Sequence, residues 1–220
     1  MTANMELFKE VGTRVYKQQA QFFLNAYWAE LGAQAEEVWQ LAEKLYEVDD
    51  ESGQEGCALD EWRAHRFLEA LGETLTALAM RAKLREIDLD SDGKMSFIEY
   101  LVSRYEKTVN ELMSRPQGTN EMLARAQQAL DAVQAEIASI EAQKTRLEAE
   151  ANGGGVKAFR AKAELAQLLA ADQTGLNRAL ITAEAAVRKA SKMGGGDAQG
   201  TLWWMQRELE EAKKYKPSKK

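Results

Sequence analysis

Aspartates stand at alternate positions 88, 90 and 92, Gly93 follows them, and Glu99 closes a run that reads D-L-D-S-D-G-K-M-S-F-I-E. These are hard oxygen donors, and their order matches a calcium-binding EF-hand loop. Such a loop takes ligands from its positions 1, 3, 5, 7, 9 and 12. The candidate metal ligands are therefore Asp88, Asp90, Asp92, Lys94 through its backbone carbonyl, Ser96 directly or through a water, and Glu99 through both carboxylate oxygens. Gly93 falls at position 6, where the chain turns too sharply to carry a side chain comfortably. Met95 at position 8 suits a short strand contact with a partner loop. Met80, Leu84 and Ile87 share one face before the loop, and Phe97 and Leu101 follow it. The competing reading is an acidic turn that binds nothing. The aspartates, the glycine and the terminal glutamate all in register argue against it.

Helices must hold such a loop at both ends. A helical pattern begins at Lys17 and carries Ala20, Phe23, Leu24, Tyr27, Trp28 and Leu31 on its apolar positions. Gly32 either interrupts it or is tolerated. The pattern resumes through Val38, Trp39, Leu41, Leu45 and Val48, and an acidic, glycine-containing loop runs from Asp49 to Gly56. Asp60 to Leu71 is helical again, Gly72 closes it, and one more helix leads into the metal loop. A first helix–loop–helix thus precedes the second at the spacing of an EF-hand pair.

The first hand is degenerate. With Leu59 aligned to Met95, Asp60 falls at position 9 and Arg63 at position 12, where arginine cannot replace a bidentate carboxylate. Counted from Asp49, the loop also carries about three residues beyond the standard twelve. Asp49, Asp50 and Glu51 leave open a weak site of another geometry; the plainer reading is a structural partner for the second loop. His65 reads as a surface or packing residue. Residues 1–16 are poorly periodic and read as partly ordered.

Arg115-Pro116-Gln117-Gly118 breaks the pattern and marks a domain boundary. Beyond it Leu123, Ala126, Leu130, Val133, Ile137, Ile140, Lys144, Leu147 and Ala151 recur at spacings of 3 and 4. This is a coiled-coil seam roughly 43 Å long. Asn152 and the glycines after it end that helix, and a shorter pattern follows with Phe159, Ala163, Leu165, Leu168 and Leu169. A second seam runs through Leu176, Ala179, Ala183, Ala186 and Ala190, with Leu180 and Val187 beside it. The simplest assembly is an antiparallel hairpin within one chain; a coiled coil between chains is the rival, and a monomer is the expected state. Met193 to Gly200 reads as a flexible linker. From Thr201 a short amphipathic helix carries Leu202, Trp203, Met205 and Leu209, and a basic tail follows. Three readings suit Trp203 and Trp204: an interfacial membrane anchor, a permanent clasp, or a helix that docks differently in the two calcium states.

The expected architecture is all-α: an EF-hand pair joined to a helical hairpin or coiled-coil rod, with a C-terminal amphipathic helix. Its divisions are 1–32 (N-terminal helical segment), 33–114 (EF-hand pair), 119–192 (hairpin) and 193–220 (linker, helix and tail). Among the 220 residues, 45% are hydrophobic and 29% charged, with only 2 prolines, and the helix formers dominate. A net charge of -6 speaks against a nucleic-acid binder. The single cysteine, Cys57, excludes an internal disulfide framework and fits a reducing compartment. No leader pattern opens the chain and no apolar run approaches 18 residues, so a soluble, cytosolic protein without a membrane partner is expected. There is no nucleophile–base pair, no phosphate-cradling loop and no histidine or cysteine metal cluster, so no enzyme is expected.

Four stretches carry more than helix physics demands: Gln18 to Glu30 (Q-Q-A-Q-F-F-L-N-A-Y-W-A-E), Leu84 to Leu101, Ala179 to Lys192 (A-L-I-T-A-E-A-A-V-R-K-A-S-K) and Trp203 to Tyr215 (W-W-M-Q-R-E-L-E-E-A-K-K-Y). In the same order, over most of the chain, they resemble the calcium-regulated actin-bundling family of amoeboid cells. The resemblance implies a cytoplasmic, cytoskeletal protein that cross-links actin filaments and loosens its grip when calcium rises. It also implies that Asp88, Asp90, Asp92, Lys94, Ser96 and Glu99 hold the calcium and that the rod meets the filament. Against the family pattern the chain is shorter at its N-terminus and more compact before Trp203. The alternative is a calcium sensor or buffer whose rod binds a different protein.

Overall fold

The computed structural model describes residues 2–118, 121–171, 173–193 and 196–217. It divides into two compact units, one formed by residues 1–118 and 195–201 and the other by 119–194 and 202–220.

In the first unit, helices α1 (Thr2–Gly12) and α2 (Tyr16–Leu31) precede two helix–loop–helix hands. The first hand is α3 (Ala35–Val48), strand β1 (Ala58–Leu59) and α4 (Glu61–Ala70). The second is α5 (Ala77–Ile87), strand β2 (Met95–Ser96) and α6 (Phe97–Arg104). Helix α7 (Val109–Ser114) closes the set. Each hand's outgoing helix begins on a side-chain cap: Asp60 accepts from the Arg63 N–H at 2.8 Å, and Ser96 and Glu99 form a reciprocal capping box. Gly32 does interrupt the long helical pattern, opening a 3₁₀ turn, Gly32–Gln34, ahead of α3.

The two strands pair antiparallel, with Leu59 opposite Met95 and Ala58 opposite Ser96. That register fixes the alignment of the two loops. Aromatic side chains fill the core of this unit; Tyr16, Phe23, Tyr27, Phe67 and Phe97 are fully buried, and Phe67 meets Tyr100 edge-on with ring centroids 4.9 Å apart.

The N-terminal residues are more ordered than their periodicity suggests. Helix α1 contacts α6 and α7 and buries Phe8 and Val11. Two apolar residues three apart suffice because the docking surface, rather than the helix's own pattern, holds it in place. The N-terminal segment accordingly belongs to the same compact unit as the hands.

In the second unit, α8 (Glu121–Ala151) runs alongside α9 (Gly155–Ala170) and α10 (Thr174–Met193). The heptad residues of α8 are buried, Lys144 included; Ile137 alone is half-buried. The Lys144 ammonium is satisfied by Glu141 at 3.0 Å. On α10 the buried set is Leu176, Ala183, Val187 and Ala190; Ala179 and Ala186 are only half-buried, and Val187 takes the place of Ala186 in the seam. The return arm of the hairpin consists of two helices. Ala161 and Leu165 of α9 pack against Leu147 and Ala151, whereas Gly175, next to the start of α10, lies against the Glu136 carboxylate. The outward face of α9 carries Val156, Phe159 and Ala163, all exposed, between the exposed Lys157, Arg160 and Lys162.

Helix α11 (Gln199–Lys214) starts two residues earlier than its apolar pattern. Residues 196–200, expected as linker, are a 3₁₀ turn, Gly196–Ala198, and the first turn of α11. They are held on α2: the Thr201 N–H donates to Asn25 Oδ1 at 2.8 Å, and a Cβ on Gly200 would lie 2.5 Å from the Leu24 backbone. Glycine at 200 thus serves close approach rather than flexibility. Residues 194 and 195 of the expected linker, and Lys219 and Lys220 of the expected tail, lie outside the described residues. Within the second unit, Gln206 donates to Ser191 at 3.2 Å, Lys213 meets Glu184 at 3.2 Å and the Tyr215 hydroxyl donates to Glu141 at 2.7 Å. Trp204 and Met205 are buried and Trp203 is half-buried.

Candidate metal centre

The second loop is built from its ends inward. Asp88 caps the end of α5, and Glu99 sits in the first turn of α6. Between them Ser91 and Gly93 adopt positive φ values of 60° and 80°, which fold the loop back on itself. The Gly93 N–H then donates to Asp88 Oδ2 at 3.0 Å, and the Asp92 N–H is shared between Asp88 Oδ1 at 3.1 Å and Asp90 Oδ1 at 3.0 Å. Asp92 in turn accepts from the Lys94 N–H at 2.7 Å.

Glu99 closes the loop. One of its oxygens accepts from the Leu89 N–H at 2.9 Å and the Asp90 N–H at 3.3 Å. The other accepts from the Ser96 N–H at 2.9 Å and the Ser96 hydroxyl at 2.8 Å. Burial pushes the Glu99 carboxyl above its usual range, while the hydrogen bonds from Ser96 pull it down. Carboxylate oxygens of Asp88, Asp90 and Glu99 lie within 4.8 Å of one another. Among the sequence-predicted ligands these three converge. Asp92 and Ser96 are tied to them by the hydrogen bonds above, and Lys94 is held through its backbone N–H on Asp92. The donors are all oxygen, and the turn geometry leaves no Cβ at position 6. This set fits a hard divalent cation of calcium's coordination habit.

The first loop is arranged otherwise. Asp49 is buried and accepts from the Tyr16 hydroxyl at 2.9 Å and the Ser52 N–H at 3.1 Å. Burial first, and then the bond to Asp49, push the Tyr16 phenol up. A Cβ on Gly56 would lie 2.0 Å from the Asp49 carboxylate, so this glycine makes room for the pair. Arg63, at position 12 by the strand register, meets Asp50 at 2.8 Å, Glu51 at 3.1 Å and Asp60 at 2.7 Å. The Arg63 guanidinium holds the Asp50 carboxyl below its usual range.

Sequence reasoning missed Gln19, Tyr16 and Lys9. Gln19 is buried and joins both hands through its carboxamide. Lys9 donates to the Asp90 carbonyl at 3.1 Å, inside the second loop. These residues come from α1 and α2, far from the loops in sequence, and no local pattern announces them.

The fold defines a paired helix–loop–helix unit followed by a helical rod. A family model described as F actin bundling C terminal matches residues 94–219. The calcium-regulated actin-bundling protein of Dictyostelium discoideum is 35% identical over 265 aligned positions, which cover 98% of this chain and 90% of that protein. The crystal structure of the 34 kDa F-actin bundling protein from the same organism matches with a TM-score of 0.90 at 35% identity, covering 100% of this chain and 99% of that one. The chain belongs to the F-actin bundling family. Among the described residues, no helix is long and apolar enough to cross a membrane.

Proposed function

We propose that this chain binds and bundles actin filaments under calcium control. The likeness along the whole chain to an actin-bundling protein, at 35% identity, carries the reading. Calcium binds at the second loop through Asp88, Asp90, Asp92, the Lys94 carbonyl, Ser96 and Glu99. The protein is a cytoplasmic, cytoskeletal monomer that performs no catalysis. The segment matched by the bundling model includes the rod, and the exposed Val156 and Phe159 among basic residues on α9 offer an acidic partner an apolar and basic face.

Calcium, when bound, supplies two positive charges to a cluster of carboxylates that would otherwise repel one another. The chain's own residues pass the change on. Glu99 and Ile98 are adjacent in α6, and the Ile98 N–H is held by Gln19 of α2. A change at Glu99 therefore pulls on α2 and on the strand pair. Calcium weakens bundling along this route.

Sedimentation with filamentous actin at low and high speed, with calcium or a chelator, tests the proposal. The wild type is expected to pellet bundles at low speed in chelator and fewer in calcium. Glu99→Gln, with one charge fewer at position 12, is expected to bundle alike in both. Calcium binding without filament binding at either speed would favour a sensor or buffer and sink the bundling reading.

A further inference from the structure

The first loop carries its own cation. Leu59 pairs with Met95 across the strands, so Arg63 occupies position 12, where the second loop has Glu99. A metal-loaded loop gathers its acids around an ion. Here three acids of the first loop gather around a guanidinium, while Asp49 is held by Tyr16 and Ser52. Arg63 Nε contacts Asp50, one terminal nitrogen contacts Glu51 and the other contacts Asp60, at 2.8, 3.1 and 2.7 Å. Asp50 and Glu51 come from the start of the loop and Asp60 from its end. Arg66 adds a longer contact to Asp50 at 3.8 Å. A planar fork of five donors can satisfy several carboxylates at once, which an ammonium cannot.

We propose that Arg63 is the metal substitute of the first hand. It neutralises the loop acids and draws both ends of the loop together without calcium, so β1 is always in place for β2. The pair then responds to a single ion at the second loop, against a first hand that never changes state. Each contact alone is a partly exposed ion pair of small worth. What distinguishes the site is convergence: one side chain, 21% exposed, holds three acids from both ends of one loop.

The test uses the full chain and two readouts. Thermal melting in chelator reports the first loop. Calcium calorimetry reports the second, and this half rests on the reading that the second loop takes calcium. Arg63→Met is expected to lower the midpoint of the hand pair by about 3 °C in chelator and to weaken calcium binding several-fold. Arg63→Met combined with Asp50→Asn and Glu51→Gln is expected to recover part of the lost midpoint, since the loop then holds fewer uncompensated acids. This triple variant keeps the proposal testable if Arg63→Met alone fails to fold. An unchanged midpoint in Arg63→Met, or a triple variant no more stable than the single one, overturns the proposal. Unchanged calcium affinity in Arg63→Met overturns the coupling to the second loop. A wild type that binds no calcium would sink the calcium reading, while melting in chelator would still judge Arg63.

Discussion

The backbone N–H of Ile98 donates to Gln19 Oε1 at 2.8 Å, joining the first turn of α6 to the interior of α2. The same carboxamide donates to the carbonyls of Gly12 at 3.1 Å, Arg14 at 2.6 Å and Cys57 at 2.7 Å. Gln19 has no exposed surface. One side chain thus binds the α1–α2 turn, the approach to β1 and the residue before Glu99. Gln19→Leu keeps the volume and leaves the buried Ile98 N–H and three part-buried carbonyls without this partner. It is expected to cost on the order of 3 kcal/mol in urea unfolding and to change calcium affinity measurably. A loss under about 0.5 kcal/mol would show that the surrounding groups find other partners.

The rod has an uneven seam. Val133 has no exposed surface, whereas Ile137, one heptad step away, is half-buried. An unpaired carboxylate is far costlier in the first place than in the second. Val133→Asp is expected to unfold α8 and α10, while Ile137→Asp is expected to weaken them by a smaller amount. Circular dichroism melts rank the two variants; equal losses would contradict the packing.

Much of this layout was legible because periodicity reports directly on burial. The convergence of Asp88, Asp90 and Glu99, the α8 seam and the place of Arg63 in the first loop all follow from spacing, and the Leu59–Met95 register could be set from the loop residues alone. The rest depended on contacts distant in sequence. Nothing near Gly200 shows that its missing Cβ admits the Leu24 backbone; a Gly-rich run reads as a linker. Helix α1 lacks a full apolar stripe, so its order comes from the surface it docks on. Arg63 was legible as a lost ligand and illegible as a replacement cation, because its partners at 50 and 51 lie a whole loop away.

Tyrosine phenols held away from water set an alkaline limit on the first unit, Tyr100 among them, its phenol pushed up by burial. Burial pushes Tyr27 and Tyr105 up to about 12, and Tyr16 is pushed up further by burial and by its bond to Asp49. In the unfolded chain these groups ionise near pH 10. A raised folded value means that their stabilising contribution is whole below about pH 10 and declines as pH rises through the folded values. The chain is expected to lose helix steeply above about pH 10, with phenolate absorbance rising in the same transition. Phenolate signals that appear while the helix content is intact would show that these rings are accessible.

The outward row of α9 has a direct test. Val156 is 84% exposed and Phe159 is 80% exposed, so polar replacements there remove no core contact. Val156→Ser with Phe159→Ser is expected to leave the melting midpoint unchanged and to reduce filament binding several-fold. Undiminished cosedimentation of this variant would exclude the row from the filament contact.

Trp204 decides what the C-terminal helix is for. It is 1% exposed and Met205 is 2% exposed, while Trp203 beside it is half-buried, with the two ring centroids 6.3 Å apart. Hydrogen bonds and an ion pair from Gln206, Lys213 and Tyr215 to α10 and α8 fix the same helix along its length. A side chain so fully enclosed behaves as core. Trp204→Ala is expected to cost about 3–5 kcal/mol, and Trp203→Ala clearly less. A permanent clasp contributes equally with and without calcium, so the loss should be the same in both conditions and calcium affinity should not move. Linkage makes the contrary outcome informative. If the loss differs between the two conditions, calcium affinity must shift by the corresponding factor, and α11 then takes part in the calcium response. Paired unfolding curves of Trp204→Ala in calcium and in chelator, read beside a calcium titration of the same variant, separate a clasp from a switch.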